Sequence, residues 1–207
     1  MTATSERMID TPHGPARAFV HPVPAAIGGL VLGHGAGGGV SARDIVAVSQ
    51  AAQEASIAVA LVEQPYRVAG RRSPAPATHL DASWTAVLAD LRAGPLAGLP
   101  VVTGGRSSGA RVACRTAAAT GAVAVLCLAF PLHAPGRSED LSKSRQPELD
   151  AVEVPTLVVQ GERDPFGMPE AGADRSVVVV PGNHGLKSDL AAVGAAVEEW
   201  LPGVLGT

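Results

Sequence analysis

Apolar residues in this chain gather in short dense runs, and between the runs they recur with helical spacing. Residues 29–33 read GLVLG, 57–62 IAVALV, 100–104 PVVTG, 121–130 GAVAVLCLAF, 155–160 PTLVVQ and 176–180 SVVVV. Such runs, with little polar alternation, predict strands buried on both faces. Between them lie stretches of helical period. Residues 41–55 place Ile45, Val48, Ala52 and Ala55 on one face, with Ser41 and Asp44 in capping-box spacing. Residues 80–93 carry Leu80, Trp84, Val87, Leu88 and Leu91, and residues 188–201 carry Leu190, Val193, Val197 and Leu201. Residues 108–120 form a further helix rich in small side chains.

Ahead of these units, residues 7–10 and 16–21 flank Thr11-Pro12-His13-Gly14-Pro15 and predict an antiparallel hairpin. A Pro/Arg-rich loop covers 63–76 and a polar loop 131–152. Strands alternating with helices predict an α/β fold: a doubly wound, mostly parallel sheet with helices on both faces. Ligands bind such sheets beyond the carboxyl ends of the strands.

Composition narrows the picture. At 207 residues, 46% hydrophobic and 17% charged, the chain is expected to form one globular domain spanning 1–207. Aromatics are only 3%, so the core rests on Ala, Val and Leu and offers no platform for stacking nucleic-acid bases. The net charge of −3 gives no general attraction to nucleic acid or an anionic membrane. The expected partner is a small molecule. Residues 1–10 contain no apolar segment, so no signal peptide is expected, and the longest apolar run, 122–130, is too short to span a bilayer. A cytoplasmic location is the default expectation. Cys114 and Cys127 fall in a helix and a strand without C-x-x-C spacing; they are expected to be buried free thiols, with no metal and no cofactor.

The chemistry lies at the predicted strand ends. Val101–Val112 reads VVTGGRSSGARV, which is G-x-S-x-G between a strand and a helix. A turn that tight needs glycine on both sides of Ser107, because a Cβ there would strike the neighbouring strand or helix. Asp164 follows the strand 155–160 and His184 follows the strand 176–180. Serine, acid and histidine thus appear in the chain order of a Ser-Asp-His triad on a doubly wound sheet. A serine hydroxyl needs an adjacent base, and the base needs a partner that fixes its tautomer. The amide of Ser108, at a helix start, and that of Ala36, in the glycine-rich loop 34–39, are the expected oxyanion donors. His34, Gly35 and Gly37 of that loop are expected to border the substrate, and His133 to form a pocket wall. The loop lacks both G-x-G-x-x-G and a P-loop lysine, so it is not read as a nucleotide site. Arg106 and Arg111 beside the elbow are read as structural ion pairs or caps. Arg67, Arg71 and Arg72 form a basic loop, either solvated or attracting an acidic ligand. His13, His21 and His79 are expected to be solvated.

At this point the chain resembles the α/β-hydrolase superfamily over nearly its whole length. It is most similar to a small capless group around the testis-expressed hydrolase-like proteins and the hydrolase-like domain of a non-specific-lethal chromatin-complex subunit, itself similar to dienelactone hydrolases. The residues carrying the likeness are HGAGG at 34–38, GRR at 70–72, GGRSSGARVA at 104–113, PLHAPG at 131–136, QGERDPFG at 160–167 and GNHGLK at 182–187. The resemblance implies Ser107, Asp164 and His184 as the triad positions. Dienelactone hydrolases use a cysteine nucleophile where this chain has serine, so dienelactone is not implied as substrate. The segment 132–154 is too short for a helical cap, which implies an open site suited to short acyl groups. The expected activity is cleavage of a carboxylic ester or thioester through an acyl-enzyme. A non-catalytic binding or scaffold protein on the same fold, and amide cleavage or acyl transfer at the same site, stand as alternatives.

Overall fold

The computed structural model describes residues 3–134 and 141–206. Pro135 and Gly136 of the PLHAPG motif, and the first two residues of the segment read for a signal peptide, lie outside the described residues. The element order is β1 (Ser5–Ile9), β2 (Ala16–His21), β3 (Gly28–Gly33), α1 (Arg43–Glu54), β4 (Ile57–Glu63), α2 (Pro65–Val68), α3 (Ala77–Ala93), β5 (Val101–Arg106), α4 (Ser108–Thr120), β6 (Ala124–Leu128), a 3₁₀ turn (Leu141–Lys143), α5 (Gln146–Asp150), β7 (Thr156–Gly161), β8 (Arg175–Val180) and α6 (Leu190–Leu205).

The strands form one sheet in the order β1-β2-β4-β3-β5-β6-β7-β8. The β1–β2 hairpin is antiparallel and joins β4 antiparallel; every other pairing is parallel. The two-residue period of the strands divides the core between the faces. Leu30 and Leu32 of β3 join Val48 of α1 and Val193 and Val197 of α6, whereas Val31 between them joins Trp84 and Leu88 of α3. Behind β6, Val125 and Cys127 pack with Ala110 and Ala113 of α4. Among the described residues no helix is long and apolar enough to cross a membrane, and no group of three or more His, Cys, Asp or Glu could hold a metal ion. Cys114 and Cys127 are buried free thiols, 3.5 Å apart.

Several expected features differ. The capping box does not form: α1 is preceded by Ala42, with no side-chain cap. The helix starts one residue later than the box requires, so Ser41 lies outside the cap position and Asp44 falls second in the helix, where its carboxylate meets the Ile45 amide and Arg106, the latter at 2.9 Å and 62 residues along the chain. The run 121–130 is not all strand, because Gly121 ends α4 in the left-handed conformation at φ 61° and β6 starts only at Ala124. The final helix starts at Leu190, not residue 188, because the Asp189 side chain accepts from the Ala192 amide and sets the cap. The loops at 63–76 and 131–152 contain the short helices α2 and α5. The run 176–180 is not buried on both faces: β8 is the last strand of the sheet, and Val179 is exposed. His21 is half-buried, with Nδ1 3.0 Å from Thr4 Oγ1, rather than fully solvated.

Candidate active site

Ser107, Asp164, His184, His34 and His133 sit at the carboxyl ends of β5, β7, β8, β3 and β6 or just beyond them, and Arg67, Arg71 and Arg72 follow β4. Ser107 joins β5 to α4 with φ 53° and ψ −109°, a conformation disfavoured for any residue with a Cβ. The two flanking glycines are sterically required. A Cβ on Gly105 would lie 2.7 Å from the Gly33 carbonyl oxygen, and one on Gly109 would meet the same oxygen at 2.7 Å. The elbow is wedged between β3 and its own helix, and this holds the serine above the sheet. Ser107 precedes α4 without capping it, so its hydroxyl is not spent on the helix.

That hydroxyl meets His184: Ser107 Oγ lies 3.0 Å from His184 Nε2. On the other side of the ring, Nδ1 lies 2.8 Å from Asp164 Oδ2. The Asp164 side chain is fully buried, while the histidine side chain keeps 18% exposure. Two further donors point at the same carboxylate: Gln160 Nε2 reaches Oδ2 at 2.9 Å and the Phe166 amide reaches Oδ1 at 2.9 Å. A carboxylate is an acceptor, so Nδ1 is the protonated nitrogen and Nε2 the one free to accept from Ser107. The Phe166 ring packs against the imidazole with centroids 4.3 Å apart.

Arg106, next to the serine, ties the constellation to the scaffold. Its Nη2 donates to the His184 carbonyl at 2.9 Å while its Nε binds Asp44. Burial pushes the Asp44 carboxyl up, and this outweighs the lowering by Arg106. Arg111, expected to serve as an ion pair, binds Glu148 at 2.8 Å.

The glycine-rich loop follows β3. Its His34 is 97% hidden and both ring nitrogens are engaged: Nδ1 lies 2.8 Å from the Gly35 carbonyl and Nε2 accepts from the Gln64 amide at 3.1 Å. Burial pulls its pKa down, consistent with a neutral ring. His34 therefore braces the loop from beneath, its ring turned into the protein. Gly35 is buried too, with space for a Cβ only 3.0 Å from Arg106; Gly37 is exposed and open. The carbonyl of Ala36 accepts from the Tyr66 hydroxyl at 2.9 Å. Burial pushes that phenol up to about 12, which keeps it a donor. Ser108 is the first residue of α4, where an amide has no partner within the helix. His133, expected as a pocket wall, is also buried; it packs behind Gly167 of the acid loop, and its Nδ1 has no partner among the described residues.

Gln160, Phe166 and Tyr66 carried no assigned role in the sequence. The one legible signal was Gln160, a polar side chain closing an apolar strand. It is fully buried and also donates to the carbonyls of Phe130 and Gly167.

A family model described as an alpha/beta hydrolase domain matches residues 27–188. Among solved structures, Est1E from Butyrivibrio proteoclasticus is similar with a TM-score of 0.80 and 17% identity, covering 98% of this chain and 99% of that one. XC6422 from Xanthomonas campestris, described as an a/b serine hydrolase without lid, gives a TM-score of 0.74 and 22% identity over 96% of this chain and 94% of that one. A dienelactone hydrolase from Anabaena variabilis gives 0.75 and 18% over 97% of each chain. No curated protein matches the sequence.

Proposed function

The chain belongs to the alpha/beta hydrolase family, and from that premise we propose that it is a serine hydrolase that cleaves a carboxylic ester or thioester, with Ser107 as nucleophile, His184 as general base and acid, and Asp164 as the group that orients the imidazole. The observation carrying the reading is the unbroken line from Ser107 Oγ through His184, 3.0 Å and then 2.8 Å, to a buried carboxylate.

In the first half-reaction the Ser107 proton passes to Nε2 as Oγ bonds to the substrate carbonyl carbon. The amides of Ala36 and Ser108 receive the oxyanion; one such donor is worth about 3 kcal/mol of barrier. The imidazolium then returns its proton to the departing alcohol or thiol, leaving an ester on Ser107. In the second half, His184 takes a proton from water, the hydroxide attacks the acyl carbon, and the carboxylic acid leaves as Oγ is reprotonated. The helix-start position of Ser108 supports an electrostatic role. A small-molecule ester is the substrate class that suits a cleft without a cap domain.

The test is covalent labelling with a fluorophosphonate, whose phosphorus bonds to Oγ as fluoride leaves. Labelling is expected at Ser107 and absent in Ser107→Ala, with ester turnover reduced at least about 10,000-fold. A folded wild type that stays unlabelled refutes the proposal.

A further inference from the structure

The carboxyl end of β4 borders a hollow of about 720 Å³ that the proposed chemistry leaves unused. It lies among the β1–β2 turn, α2 with the loop after it, and the start of α3. Arg71, Arg72, His13 and His79 line it, and no carboxylate does. His13 and His79 are exposed and stack face to face at 3.8 Å. Arg71 and Arg72 are exposed, and among the described residues neither side chain reaches an acid. Arg7, Arg17, Arg106, Arg111, Arg115, Arg163 and Arg175 each hold one, while Arg67, Arg92 and Arg145 donate to backbone carbonyls. The amino end of α3 adds partial positive charge: Pro76 precedes it, no side chain caps it, and its first turn has no acid. Cationic groups gathered around a hollow without counter-charge favour an incoming anion, and guanidinium forks suit carboxylate or phosphate oxygens.

The hollow shares the sheet edge with Ser107. β4, β3 and β5 are consecutive strands, so two spacings separate it from the elbow by on the order of 10 Å. Tyr66 connects the two: it lines the hollow and its hydroxyl holds the Ala36 carbonyl at 2.9 Å.

We propose that this cleft is a subsite for an oxyanionic group, carboxylate or phosphate, carried by the substrate roughly 10 Å from the carbonyl that Ser107 attacks. Its coupling to turnover rests on the serine-hydrolase reading; anion binding does not. Two experiments separate them. Inorganic phosphate is titrated into the full chain while the histidine ring signals are followed by NMR. Saturable shifts of His13 and His79 are expected in the wild type and are lost in the Arg71→Gln/Arg72→Gln variant. No saturable shift, or equal shifts in both proteins, overturns the anion site.

In the second, p-nitrophenyl esters of an eight-carbon acyl chain ending in methyl, carboxylate or phosphate are compared. The double variant is expected to lower the anionic-to-neutral ratio of kcat/KM by about tenfold, the scale of one charge-assisted hydrogen bond. Arg43→Gln, which removes an exposed charge elsewhere, leaves the ratio unchanged. The larger of the two anionic effects identifies the group. An unaltered ratio in the double variant overturns the link to substrate. If even the neutral ester is not cleaved, the serine-hydrolase reading fails, and the phosphate titration alone decides the cleft.

Discussion

His34 shows how a residue beside a reactive centre can act entirely through structure. Its ring is hidden and bonded on both nitrogens to backbone, and burial holds its pKa below the ordinary value near 6.5. The unfolded chain therefore binds a proton at His34 that the folded chain refuses. Its stabilising effect is complete above pH 6.5 and declines as pH drops from there toward the lower folded value. The stability gap between wild type and His34→Gln should narrow over that window, by up to about 1.4 kcal/mol per pH unit. Urea denaturation at pH 8, 6 and 5 measures it, and a gap independent of pH contradicts the assignment. The sequence made His34 conspicuous, but His-Gly before a glycine run signals a loop and does not say which way the ring turns, and the burial of His133 was hidden for the same reason. Ser107, Asp164 and His184 were legible because each follows an apolar run directly, so chain order alone set them on one rim.

At the scale of elements, the elbow and its neighbours are held by ties that cross long stretches of chain. The strand–turn–helix at 101–112 could be read locally, since glycine spacing and the apolar run suffice. The union of Arg106, Asp44 and the His184 carbonyl could not, for it joins the ends of β5 and the start of α1 to the loop after β8. Asp44 serves both sides of that union, meeting the Ile45 amide in the first turn of α1 and the Arg106 guanidinium. The Asp44 side chain is only 1% exposed. Arg106→Met leaves that buried carboxylate without its counter-charge, held only by backbone amides, and should cost about 3 kcal/mol. Adding Asp44→Asn removes the buried charge and should recover part of the loss. A thermal-melt double-mutant cycle checks this; strictly additive losses would show that the pair is not coupled.

Over the whole molecule, a mostly parallel sheet is flanked by the α1–α6 and α3–α4 pairs, and among the described residues no cap domain covers its carboxyl edge. The alternation of apolar runs and helical stretches foretold this layering, and of the six apolar runs only that of β8, at the sheet edge, escaped the rule of two-sided burial. With no cap to enclose a long tail, p-nitrophenyl esters should show kcat/KM highest for acetate to butyrate and declining toward decanoate. A steady rise with chain length would contradict an open cleft. The missing cap also bears on timing. Enzymes that close over their substrate often wait for a flap to swing before releasing product. On the proposed reading, with no cap domain over the acylated serine among the described residues, each cycle should be paced by bond making and breaking, and kcat is expected to stay unchanged as solvent viscosity is raised.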